Sequence, residues 1–308
     1  MGFFDSYYYG KAGKADYTVE QMPTNRFQLF FDMLRIRFTG IMGMNFFFLL
    51  ASLPAILWTI LNVAMINETL APLVPGEQLA AEQFAGISQG VLGYITMYLY
   101  LMIPCLMLIA VIQTGVIYVL RNWARDQHSF VMSDFRDAIK ANWKQALLVG
   151  FINGASLILL YISYQYYGEL ASANSVIWVV PQVLVVVVCA LWWMANMLIF
   201  PMMVTYDMKF TQLVRNGFIM TLARLPWAVL IGFFTLAIPV VLLFVAPPYG
   251  MLADVVIYLL IGFGLTLFVH VSFANSTFDR YLNPRIEGAP VNQGLRDPSL
   301  DEDEDKDE

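Results

Sequence analysis

Six runs of roughly twenty to thirty residues carry almost no charge: 41–65, 91–120, 146–166, 177–203, 227–245 and 251–272, with Asp254 near one end of the last. About twenty apolar residues wound as a helix cross a hydrocarbon core of about 30 Å, so each run is long enough to span a bilayer. A soluble core is a poor alternative, because 59% of the residues are hydrophobic and only 13% charged. The expected fold is all-α: a polytopic membrane domain over 1–285 with six transmembrane helices.

The charges outside the runs orient them. All 17 Lys and Arg fall in the groups Lys11 to Arg37, Arg121 to Lys144, Lys209 to Arg224 and Arg280 to Lys306, and the three alternate connections contain none. Positive residues in short loops stay on the cytoplasmic side. Both termini are therefore expected in the cytoplasm, with the chain a multi-pass membrane protein. The net charge of -6 says little about partners, because Asp301 to Glu308 alone holds seven acids and one lysine. Residues 286–308 are expected to be a disordered acidic tail with too little apolar surface to fold. The first run lies too far from Met1 and is too long for an h-region, and no small-residue cleavage site follows it, so it is expected to be a permanent helix. Met1 to Ser6 matches a myristoylation pattern, expected by chance.

A repeat lies across the odd runs. Residues 141–151 read ANWKQALLVGF and 223–233 read ARLPWAVLIGF, with a looser copy, IRFTGIMGMNF, at 36–46. Three helical hairpins are expected, each introduced by a cytoplasmic interfacial helix. From Ser133, SDFRDAIKANWK puts Phe135, Ala138, Ile139, Asn142 and Trp143 on one stripe, with Ser133 as the cap. The segment 26–38 has a similar apolar side in Phe27, Phe30, Phe31, Leu34 and Phe38. Pro104 is expected to kink the second run. The connection 67–90 reads as a long outer loop bearing a weak glycosylation sequon at Asn67.

Residues fitted to chemistry are scarce. Ion-coupled carriers and intramembrane enzymes place ionisable groups at depth, whereas the intramembrane polar residues here are Asn45, Asn62, Gln113, Thr114, Asn153, Asn196 and His270. They are expected to bond between helices, with Asn153, Asn196 and His270 as a candidate polar seam. Ser129, His128, Asp126 and Asp134 compose a Ser/His/Asp set on paper, but residues so close in sequence do not form the usual spatial triad. No catalytic residue, metal ligand or cofactor is expected, nor a nucleic-acid partner. Cys105 and Cys189 sit in apolar runs as small hydrophobes.

The most distinctive local block is Tyr118, then RNWARDQHSF at 121–130, SDF at 133–135 and NWK at 142–144. Here the chain resembles the YesL-like family, domain of unknown function 624, of bacterial membrane proteins. Gly2, Phe3 and Phe4, the triplet Asn25 to Phe27, and Leu53-Pro54 are similar too, and the resemblance covers most of 1–285. The connection 67–90 looks longer than in short members. Members tend to be encoded beside carbohydrate ABC importers. The resemblance thus implies a non-enzymatic accessory or regulatory component of oligosaccharide uptake, with the bilayer and importer subunits as partners; the alternative is a facilitative transporter or channel for a small neutral solute. Arg121, Arg125, Asp126, Asp134, Phe135 and Trp143 are the candidate docking or structural motif. The two Arg could bridge the second run to the interfacial helix through the two Asp.

Overall fold

A computed structural model describes residues 22–73, 80–173, 175–245 and 249–296. Its helices are α1 (Arg26–Ile36), α2 (Phe38–Leu70), α3 (Ala81–Trp123), α4 (Val131–Ala173), α5 (Val179–Met203), α6 (Phe210–Ala223), α7 (Leu225–Val245), α8 (Tyr249–Ile257) and α9 (Phe263–Tyr281). Helices α8 and α9 are joined by a π-helical turn, Tyr258–Gly262, into one span. Among the described residues, six helical stretches are long and apolar enough to cross a membrane. The fold is all-α, and the described residues contain no strand.

Several segments read as loop or separate helix are continuous helix instead. Helices α3 and α4 have 43 residues each, about 65 Å at 1.5 Å per residue, and so outrun the hydrocarbon core. Helix α2 runs on to Leu70 and α3 starts at Ala81, so much of the connection read as the outer loop is helical. The interfacial segment after Ser133 flows into its span as one helix. Its counterparts are separate: α1 ends before Arg37 (φ -100°, ψ 12°) and α6 before Arg224 (φ -119°, ψ 26°). For α6 the repeat gives a cause. Pro226 stands where α4 has Lys144, and a proline there removes a backbone donor and crowds the carbonyl one turn back.

Caps also differ from expectation. Ser133 lies inside α4; the first turn is closed by Asp134, whose carboxylate accepts from the Phe130 amide at 2.9 Å and the Ser129 hydroxyl at 2.6 Å. In α1, Asn25 caps as its type favours, accepting from the Phe27 and Gln28 amides. Leu29 and Met33 face inward, and Phe30 packs on Phe268 at 5.3 Å, while Phe27 and Phe31 point outward. An interfacial helix between a core and a bilayer needs apolar groups on both sides.

Two kinds of contact hold the spans together. Gly150 and Gly154 let α4 approach α3 closely: a Cβ at Gly150 would lie 2.6 Å from Met107 Cα, and one at Gly154 2.8 Å from Ile103 Cα. Small residues four apart allow such backbone approach, which gains dispersion energy where lipid offers no hydrophobic drive. The second kind is polar. Asn45 of α2 donates to the carbonyls of Tyr258 and Leu259, each at 3.0 Å, and accepts from the Gly264 amide at 2.9 Å. It thereby satisfies backbone groups that the π turn releases. Nearer the other end of α2, Asn62 donates to Tyr94 carbonyl and Trp58 to Tyr98 carbonyl, both on α3.

The core is displaced toward one end. Buried residues of α3 run from Ala110 to Trp123, those of α5 from Cys189 to Met203, and those of α9 from Gly264 to Asp279. This end carries the basic groups. The segment 286–296, read as the start of a solvated tail, is folded back on it: the Arg296 amide donates to Pro23 carbonyl at 2.9 Å, and Asn283 donates to Pro290 carbonyl at 3.3 Å. The rest of that tail, and Met1 to Ser6, lie outside the described residues.

Candidate functional site

The basic end contains a buried polar cluster built from five places in the chain. Helix α3 closes on Asp126, which takes a left-handed conformation (φ 54°) while the Gln127 amide returns to Asn122 carbonyl at 2.9 Å. Asp tolerates that conformation better than most residues. The closure leaves Arg121 and Arg125 pointing inward, with Arg125 only 6% exposed. Arg121 donates to Thr205 Oγ1 at 3.1 Å and to Asn122 Oδ1 at 2.6 Å, and its guanidinium lies 5.0 Å from the Tyr118 ring centre. Thr205 in turn donates to Pro201 carbonyl at 2.6 Å, which the Thr205 amide leaves open by bonding Met202 carbonyl instead.

From α9 come Asp279 and, just past its end, Asn283. Asp279 forms an ion pair with Arg26 of α1 and accepts from Asn283, and Asn283 accepts from the Tyr206 hydroxyl. Arg26 also donates to Asn292 Oδ1 at 3.1 Å, tying in the folded-back segment. Burial pushes the Tyr206 hydroxyl up to about 12, against the pull of Arg125, so the phenol stays protonated and able to donate. Burial also draws the Arg26 guanidinium below its ordinary value, with Asp279 opposing. The arrangement clamps four helix ends and a C-terminal strap; it holds charge rather than aligning a nucleophile with a base.

The candidate motif residues separate in space. Arg121 and Arg125 join this cluster, but their partners lie on α5 and the segment after it. Asp126 is exposed at the turn and Asp134 caps its own helix, so the expected bridge through the two Asp is absent among the described ion pairs. Phe135 is packed inside, 5.0 Å from Phe47 and against Gly115, where a Cβ would come within 2.6 Å of its ring. Trp143 stays outside at 44% exposure, near Phe130 at 72% in sequence and on the same end. Ser129 bonds Asp134, while His128 meets the Phe130 ring edge-on at 4.8 Å.

The candidate seam does not form one line either. Asn153 accepts from Trp192 Nε1 at 2.7 Å, joining α4 to α5, and Asn196 donates to Trp192 carbonyl at 2.8 Å within α5. His270 faces elsewhere, into an apolar cavity of about 800 Å³ between α5 and α7 with Trp193, Met197 and Phe233. A cleft of about 430 Å³ between the first two hairpins includes Ser52, Thr59, Gln113 and Asn153. Among the described residues, no group of three or more His, Cys, Asp or Glu is placed to hold a metal ion.

Sequence reasoning passed over Tyr206, Asp279, Asn283 and Arg26. One signal was available: Asn275, Asp279 and Asn283 recur every four residues among apolar neighbours, a polar stripe on the buried side of a helix. Neither the curated proteins nor the solved structures searched contain a match to this chain. Residues 41–164, running through α2 and α3 into most of α4, match the family described as "Protein of unknown function, DUF624". That stretch contains the Arg121 to Lys144 block and the close α3–α4 pair, and over it the chain is similar to members of that family.

Proposed function

We propose that this protein is a non-enzymatic accessory or regulatory component of oligosaccharide uptake, seated beside an ABC importer in the bacterial cytoplasmic membrane with its basic end in the cytoplasm. The observation that carries the reading is the build of that end. Four helix termini and a strap are clamped by buried polar groups, and beside them the turn and first turns of α4 present Phe130, Met132, Arg136, Lys140 and Trp143 to the outside. A rigid base with exposed aromatic and basic groups suits docking, where such residues supply most of the binding energy. The family resemblance supplies the partner class, and the one-sided basic residues supply the orientation.

Affinity purification of the full chain from its native host in mild detergent is the test. Recovery of the importer's permease subunit, reduced by Phe130→Ala with Trp143→Ala, is expected; repeated recovery without importer subunits contradicts the proposal. The cleft with Ser52, Thr59, Gln113 and Asn153 is the observation that favours a second reading, a facilitative path for a neutral solute. Its hydroxyls are turned inward, Ser52 to Phe48 carbonyl and Thr59 to Ala55 carbonyl, which leaves less to meet a sugar. Oligosaccharide flux into proteoliposomes above that of empty vesicles would support this second reading.

A further inference from the structure

We infer that the cluster around Arg125 is an oxyanion site that takes a phosphate group, supplied by an anionic lipid headgroup or by a soluble phosphate. Arg125 is 6% exposed, and its Nε and one Nη are buried without a hydrogen-bond acceptor. Nε and its neighbouring Nη form the guanidinium edge whose parallel N–H bonds fit a carboxylate or phosphate two-to-two. A guanidinium does not shed its proton to escape burial, and buried charges in folded proteins are otherwise paired.

The neighbours do not supply the missing charge. Arg26 has taken Asp279, and Arg121 is met by the neutral Asn122 and Thr205. Tyr206 lies within hydrogen-bonding reach of Arg125, but its proton goes to Asn283. Three guanidiniums therefore face one carboxylate among the described residues of the cluster, and Arg125 feels both Arg26 and Arg121 as like charges. Gln293 has an unpaired buried oxygen in the strap, but a neutral amide oxygen cancels no charge. A phosphate brings acceptors in the right fork and a charge of the needed sign. The strap packs on the Arg125 main chain, the Cβ position of Gly294 lying only 2.9 Å from Arg125 carbonyl oxygen.

The test is thermal unfolding of the purified full chain in phosphatidylcholine nanodiscs, with two probes. One is inorganic phosphate against chloride at equal ionic strength; the other is added phosphatidylglycerol without phosphate. At about a hundredfold excess over Kd, the site predicts a midpoint rise of roughly 5 °C. The rise should vanish in Arg125→Gln and persist in Lys140→Gln, which alters an exposed charge outside the cluster. A rise with phosphate alone assigns a soluble ligand, and one with phosphatidylglycerol alone assigns a lipid headgroup. Should Arg125→Gln fold poorly, Arg125→Met decides: without either probe it should unfold no lower than the wild type, because an unmet charge has been removed. No rise with either probe, an equal rise in the Arg125 variants, or a collapse of Arg125→Met overturns the site.

Discussion

Asn45 shows how one side chain can decide a span. It is fully buried, and its three bonds reach a turn more than 200 residues away, where the sixth span departs from α-helical bonding. Asn45→Ala should leave two carbonyls and an amide unpaired in an apolar interior, lowering stability by about 2 kcal/mol. Gly43→Ala, two residues away where a Cβ meets nothing within 4 Å, should unfold at or above the wild-type temperature in detergent. Asp279→Asn should cost more, about 3 kcal/mol, because it strands Arg26 as an uncompensated charge. Arg26→Met in the same chain should recover much of that loss, and a double-mutant cycle of unfolding midpoints measures the coupling. Polar residues inside apolar runs could be read in sequence as interhelical donors. Their partners could not, because Asn45 bonds main-chain atoms, which leave no mark in residue type.

At the level of elements, the repeat turns one sequence position to different uses. Asn45, Gly150 and Gly232 occupy equivalent places in the three copies: the first bonds the π turn, the second admits α3, and the third faces Met197 Cε at 3.2 Å. Gly150→Ala should therefore force α3 and α4 apart and lower stability by about 2 kcal/mol. Gly232→Ala meets a flexible methionine tip and should change it by less than about 0.5 kcal/mol. Comparing the two unfolding midpoints checks both. Spans were legible because twenty uncharged residues have few other uses. Helix ends were less so. The pattern around Ser133 has the periodicity of an interfacial helix, but periodicity does not say where a helix stops, and α4 has no proline to stop it as Pro226 does for α6. The strap at 286–296 was missed because its contacts are backbone bonds to Pro23 and side-chain bonds to Arg26 and Asn283, invisible to a composition that suggests disorder.

Across the described residues, the basic side chains, the densest packing and the polar clamp coincide at one end, while toward the other the spans turn apolar faces outward. One-sided charge was the clearest signal in the sequence, but it marked a membrane face without revealing that a buried core lies behind it. With Cys105 and Cys189 replaced by Ala, a cysteine at Lys140 should resist an impermeant maleimide added to intact cells, and one at Glu82 should react. The reverse pattern would invert the orientation. On the proposed reading, the basic end meets an importer. Photo-crosslinking from positions 130 and 143 in the native host, with position 244 in α7 as the opposite-end control, tests it most directly. Adducts to the importer's permease subunit are expected from 130 and 143 and none from 244; adducts from 244 alone, or none to any importer subunit from a folded protein, would overturn that reading.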